Sequence, residues 1–234
     1  KTLGDTNHFL GNHPPFASVE GCKLPMDTDV ETLLAHDDWD ALVKKTALDP
    51  GSQHYIDMFS DYLYTHLKLH IYPDGGVARF KVYGEVQTDW NQYNSDERLD
   101  LAAATMGARA LCCNDMFFSH MDNLIMPGRG VNMGDGWETK RNRTLGNRDW
   151  IVVKLAHAGH LKQALIDTCH FKGNYPDTCS IDALMLDDAI EVTNKNIDSF
   201  EWTEVLPKQK LQAHHEHYFD LDTTAAFSHV RLNI

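Results

Sequence analysis

Asp5-Thr6-Asn7-His8-Phe9-Leu10-Gly11-Asn12-His13-Pro14 returns 162 positions later as Asp167-Thr168-Cys169-His170-Phe171-Lys172-Gly173-Asn174-Tyr175-Pro176, with seven of the ten residues unchanged. The echo continues downstream in the same order. Trp39 corresponds to Trp202, Leu48 to Leu211 and His54-Tyr55 to His217-Tyr218. Thr65-His66-Leu67-Lys68-Leu69-His70-Ile71 corresponds to Ser228-His229-Val230-Arg231-Leu232-Asn233-Ile234, now 163 positions apart. Chance does not preserve order and spacing over a stretch of roughly seventy residues, so the chain carries two copies of one folding unit. The copies are cut at opposite ends. The first begins at the repeated motif, and the second stops at Ile234, where the first runs on into Tyr72-Pro73-Asp74-Gly75-Gly76. The sequence therefore reads as a fragment, with residues 1–86 the C-terminal part of a first repeat, 87–98 a polar linker, and 99–234 a second repeat lacking its last strands.

The local pattern is that of β-structure. Leu67, Leu69 and Ile71 alternate with His66, Lys68 and His70, the period-two signature of a half-buried strand. Phe80, Val82 and Gly84 alternate after the Pro73-Asp74-Gly75-Gly76 turn, which predicts a hairpin. Trp150 to Leu155 and Leu161 to Asp167 are two further strand-like runs, parted by a turn-rich His157-Ala158-Gly159-His160. Asp29 to Ala35 and Asp182 to Thr193 carry some helical character, but they fall where the copies diverge and read as loop insertions. Many short strands without a βαβ rhythm predict an all-β antiparallel sandwich or jelly roll for each repeat.

Composition narrows the partners. With 34 acidic against 21 basic residues the formal charge is −13, which repels a phosphate backbone, so nucleic acid is not expected. No run of residues is long and apolar enough for a membrane span, and Lys1 to Leu10 has no apolar signal-peptide core, so an intracellular, cytoplasmic location is expected. Cys22, Cys112, Cys113, Cys169 and Cys179 match neither a zinc spacing nor a disulfide framework and read as reduced thiols. Asn142-Arg143-Thr144 fits the glycosylation triplet, a pattern short enough to arise by chance.

Four segments could carry chemistry. The richest is Pro127-Gly128-Arg129-Gly130-Val131-Asn132-Met133-Gly134-Asp135-Gly136-Trp137-Glu138-Thr139-Lys140-Arg141-Asn142-Arg143, where glycines permit tight turns among carboxylates, an indole and cations. It can line a small polar pocket, or its charges can brace a sandwich corner as salt bridges. The second is the 167–176 copy of the repeated motif, in which His170 can exchange a proton near neutrality and Asn174 can both donate and accept; either can also serve the backbone alone. The third is the turn Tyr72 to Arg79, whose Asp74 and Arg79 read chiefly as structural. The fourth, His214-His215-Glu216-His217, resembles a metal site at first sight. Consecutive residues seldom converge on one ion, and the first copy has Gly51-Ser52-Gln53-His54 there, so a solvated loop is expected. No serine-nucleophile elbow, phosphate loop, dinucleotide fingerprint or metalloprotease helix is present.

Asp135-Gly136-Trp137-Glu138-Thr139-Lys140-Arg141, the paired Asp-Thr-x-His-Phe-x-Gly-Asn-x-Pro segments and Ile71-Tyr72-Pro73-Asp74-Gly75-Gly76-Val77-Ala78-Arg79 together resemble the allantoicase family. Asn114-Asp115-Met116-Phe117-Phe118 and Asn123-Leu124-Ile125-Met126-Pro127-Gly128-Arg129-Gly130 are similar too. The resemblance implies two homologous jelly-roll repeats of the galactose-binding-like sort, hydrolysis of allantoate to ureidoglycolate and urea in purine degradation, and assembly into homo-oligomers. A peroxisomal location is compatible with it. Such a reaction needs a clamp for the substrate carboxylate, a base for water and an acid for the departing urea. Residue chemistry nominates Arg141 or Arg129 as clamp, Glu138 or Asp135 as base, His170 as acid and Asn174 as partner of a ureido oxygen. Trp137 is a further candidate for substrate binding, and in a non-catalytic binding module it would be a stacking platform. No metal ligand is assigned, although the loops' carboxylates and histidines are compatible with a divalent ion. The competing reading is a non-catalytic sandwich module for binding or assembly, since a fold does not fix a function.

Overall fold

Alternating side chains form a ladder only where a neighbouring strand accepts their backbone groups, and that requirement decides which of the predicted strands exist. The computed structural model describes residues 11–94 and 96–234. Asp5 to Leu10 of the repeated motif, His8 among them, lie outside the described residues. The chain divides into two compact units, Lys1–Glu85 and Val86–Ile234.

In the first unit, β1 (Phe16–Cys22), β2 (Asp40–Ala47) and β3 (His66–Tyr72) make an antiparallel sheet in the order β2-β1-β3. The β1–β3 ladder runs without a slip from Phe16 opposite Tyr72 to Cys22 opposite His66. That register puts Val19 and Val43 inward, where Ile56, Met58, Leu67 and Leu69 close over them. The short helix α1 (Val30–Ala35) is capped by Asp29, whose carboxylate accepts from the Thr32 backbone at 2.9 Å. Phe80 to Gly84, expected as a hairpin strand, forms none. Val82 and Tyr83 are exposed there, because among the described residues no strand pairs with this run.

The second unit is a two-layer sandwich. β4 (Arg109–Cys113), β5 (Trp150–His160), β7 (Thr178–Leu184), β8 (Thr203–Lys210) and β10 (Ala226–Asn233) form a sheet in the order β4-β5-β10-β7-β8, and β6 (Gln163–Asp167) pairs with β9 (Glu216–Asp220). Every ladder is antiparallel. Ile151, Val153, Cys179, Ile181, Leu206 and Leu232 point from the large sheet into one core, against Ile166 and Phe219 of the small one. His157 to His160, expected as a turn, continues β5 instead. Gly159 lies opposite Phe227 with the register slipping next to it, and a Cβ there would stand 2.8 Å from Leu101 Cδ1. That glycine is present for close packing. Asp182 to Thr193 forms no helix: Asp182 to Leu184 close β7, and the rest is loop. The stretch read as a linker packs on the second unit, with the Thr88 hydroxyl donating to the Met106 carbonyl at 2.8 Å and the Trp90 ring 4.8 Å from that of His157.

The duplication is visible bond by bond. β2-β1-β3 repeats as β8-β7-β10. His54 Nε2 accepts from the Asp49 backbone at 2.9 Å, and His217 Nε2 accepts from that of Gln212 at 2.8 Å. The Thr65 hydroxyl holds the Leu24 amide at 2.8 Å, and the Ser228 hydroxyl holds that of Leu186 at 2.9 Å. Lys68 pairs with Glu20 beneath Trp39, just as Arg231 pairs with Asp182 beneath Trp202. All five cysteines are free thiols.

Candidate functional site

The glycine-rich segment folds around its own polar groups. Asn132 and Asp135 form a capping box on the single turn Met133–Asp135, and Asp135 Oδ2 accepts from the amides of Val131 at 2.7 Å and Asn132 at 3.0 Å. Asn123 ties the turn down from beneath, its amide donating to the carbonyls of Gly134 at 2.9 Å and Gly136 at 3.0 Å. Trp137 is then driven into the core, only 7% exposed, with its indole N–H donating to the Asp115 carbonyl at 2.8 Å. Asp115 completes the anchor by accepting from the amides of Phe117 and Lys140. Successive residues of an extended chain face opposite ways, so a buried Trp137 turns Glu138 outward, half-buried.

The second segment leaves β6 at Asp167. Its buried Thr168 donates to the Gln212 carbonyl at 2.6 Å and accepts from the His215 amide at 3.0 Å, which fastens the loop to the one before β9. His170 takes a left-handed backbone, φ 69°. Its Nε2–H donates to the Gly130 carbonyl at 2.9 Å.

Four ties thus join segments about forty residues apart. Arg129 sends Nε and Nη2 to the Asp167 carboxylate at 2.8 and 3.2 Å. His170 reaches Gly130. Phe171 lies on Gly136, where a Cβ would come within 2.8 Å of its ring. Asn174 Nδ2 donates to Glu138 Oε1 at 2.7 Å.

The nominated residues separate by what they touch. Asn174 is bonded to Glu138, and His170 separately ties the same two segments through the Gly130 carbonyl. Asp135 spends one carboxylate oxygen on the turn and shapes the loop. Trp137, nominated for substrate binding or stacking, is an anchor instead, because its ring faces are occupied by core neighbours. Arg129 is engaged with Asp167, whose hydrogen bonds raise the guanidinium pKa further above its ordinary value. Arg141 is exposed, and no hydrogen bond or ion pair holds it among the described residues. Among the described residues, Arg79 of the 72–79 turn reaches only the neighbouring Ala78 carbonyl. Sequence reasoning did not single out Asp115 and Asn123 as supports; both lie in stretches quoted for the family resemblance, which was the available signal.

Cys169, His170 and His214 place potential ligand atoms within 4.8 Å of one another. His170 suits a metal, with Nε2–H on a carbonyl and Nδ1 left over. His214 does not. Its Nδ1 accepts the His170 backbone N–H at 2.8 Å, so in the neutral ring Nε2 carries the proton and has no lone pair to give. Binding an ion through these three residues would break the bond that holds His170, and the trio does not fit a metal as folded.

A duplicated β-sandwich with a polar two-loop site on its second copy is the class of protein that these features define. The family model described as "Allantoicase repeat" matches residues 2–87 and 99–234. A probable allantoicase of Pseudomonas fluorescens is 45% identical over 232 residues, which is 98% of this chain and 68% of that protein. One of Pseudomonas aeruginosa is 46% identical over 233 residues, again 98% and 68%. The crystal structure of the Saccharomyces cerevisiae allantoicase superposes with a TM-score of 0.77 at 35% identity, over 99% of this chain and 67% of that one. The chain belongs to the allantoicase family.

Proposed function

We propose that the protein is an allantoicase, a hydrolase of purine breakdown that cleaves a C–N bond of the linear ureide allantoate to release ureidoglycolate and urea. The observation that carries this reading is the 45% identity to a probable allantoicase across 98% of the chain. Within that frame the two-loop site of residues 127–141 and 167–174 is the proposed place of reaction. Water adds its oxygen to the carbon bearing both ureido groups, the bond from that carbon to one ureido nitrogen breaks, and the nitrogen leaves as urea with a proton. Glu138 is the proposed base. Asn174 orients it by donating to Oε1, which leaves the second oxygen for water. Asp135 is the weaker candidate, being occupied with the turn. His170 is the proposed acid: with Nε2–H held on the Gly130 carbonyl, the imidazolium form carries its second proton on Nδ1 and gives it to the departing nitrogen, leaving the neutral ring. Arg141 is the proposed clamp for the substrate carboxylate because no competing partner holds it, whereas Arg129 would have to leave Asp167.

Urea release from allantoate by the purified protein tests the activity. Glu138→Gln and His170→Ala should each lower kcat by about a hundredfold; turnover within about threefold of wild type in both would remove these two residues from the mechanism.

The same proposal includes a division into repeats at 1–86 and 99–234, a cytoplasmic location, and homo-oligomers. Phe117 and Phe118, each 63% exposed, and Val131, 84% exposed, stand beside the site and support an apolar contact between copies. No helix is long and apolar enough to cross a membrane among the described residues. Light scattering on the purified protein gives the assembly state.

A further inference from the structure

Two residues other than glycine have a left-handed backbone among those described, His170 at φ 69° and His214 at φ 51°, and they are bonded to each other. The His170 amide donates to His214 Nδ1 at 2.8 Å, the His214 amide donates to the Phe171 carbonyl at 3.1 Å, and the rings lie 5.5 Å apart. A left-handed backbone is strained for a residue with a Cβ and relaxed for glycine. The repeat shows how the turn is made without that strain. At the position equivalent to His214 the first copy has Gly51, with φ 63°. The turn itself therefore asks only for glycine, and the second copy accepts strain to place an imidazole there. Strain retained beside a polar site points to a task for the side chain.

We propose that His214 is a positioning residue for His170, its Nδ1 holding the His170 amide so that the His170 imidazole stays on the Gly130 carbonyl with its other nitrogen free for proton transfer. The inference rests on the reading of His170 as the acid. His214 touches no reacting atom; it acts through the backbone of its neighbour. The exposed loop 212–215 is fastened on both sides of this contact, at Thr168 and at Phe171, which makes the His214 ring a fixed acceptor.

The test uses three variants of the whole protein. His214→Gly installs the first copy's residue, so the turn keeps its shape and loses only the acceptor. His214→Asn keeps an acceptor, Oδ1, the same number of bonds from Cα and tolerates a left-handed backbone. With allantoate, His214→Gly should lose about tenfold or more in kcat with KM within about twofold, and His214→Asn should stay within about threefold of wild type. In a His170→Ala background, His214→Gly should change kcat by less than about twofold, because the group it positions is gone. Carbethoxylation of His170 by diethyl pyrocarbonate, read by peptide mass spectrometry, should be at least about threefold faster in His214→Gly and unchanged in His214→Asn. The inference is overturned if His214→Gly turns over like wild type, if its loss persists in the His170→Ala background, or if Asn fails as Gly does. Should wild type release no urea at all, the proposed function falls, and the carbethoxylation rates alone still decide whether His214 holds His170.

Discussion

Truncating Asp182 to alanine strips a buried cation of its partner, and the structure sets the size of the effect. Arg231 and Asp182 have side-chain exposures of 9% and 14%. Arg231 Nε and Nη2 and Asn233 Nδ2 all converge on Asp182 Oδ2, at 3.0, 2.7 and 3.0 Å, while the guanidinium lies 4.6 Å from the Trp202 ring. Removing one partner of a buried pair leaves an unsolvated charge, which costs about 3–5 kcal/mol. The same position in the first copy supplies an internal control. Glu20 and Lys68 are 33% and 37% exposed, so water replaces what a Glu20→Ala change removes, and that variant should unfold close to wild type. Urea unfolding followed by tryptophan fluorescence measures both, and at roughly 2–4 °C per kcal/mol the Asp182→Ala melting temperature should fall by about 10 °C. A loss under about 1 kcal/mol in Asp182→Ala, or equal losses in the two variants, would refute the argument that burial rather than pairing sets the magnitude.

Three further outcomes follow from the packing. Gly75, at φ 136°, has no room for a Cβ against the backbone of His13 and Pro14, so Gly75→Ala should destabilise the first unit by more than about 2 kcal/mol, read by its urea midpoint. His229 is 1% exposed, and burial first, then Lys154, lowers its pKa below the ordinary value, with Asp188 opposing. The unfolded chain therefore takes up a proton near its ordinary pKa while the folded one does not. Stability should be fully present above that value and fall as pH drops towards the depressed folded value; a His229→Gln variant should show a flatter profile, and an identical slope would sink the account. Cys112 and Cys179 are pushed up to about 11 by burial, so at pH 8 they should resist a thiol reagent until the protein is unfolded in urea.

Strands whose alternation was read from the sequence formed where a partner existed. Leu67-Leu69-Ile71 found β1, and Trp150 to Leu155 found β10. Phe80-Val82-Gly84 alternates as well as either, yet has no neighbour among the described residues, and alternation without a partner makes no ladder. The turn expected at His157 to His160 was a misreading of a packing glycine: Gly159 makes room for Leu101, a residue 58 positions earlier in the chain.

What the residues alone determined was the duplication, the all-β class, the family and the two polar segments, because each is a matter of order, period and composition along the chain. Tertiary structure decided which side chains in those segments are available. Trp137 and Asp135 look as reactive in a row of letters as Glu138 does, but one is consumed by the core and the other by its own turn. His214 was legible only as a histidine standing where the first copy has Gly51. Its significance depends on a backbone angle and on a bond to a residue 44 positions away, and neither exists until the loops before β7 and β9 are brought together.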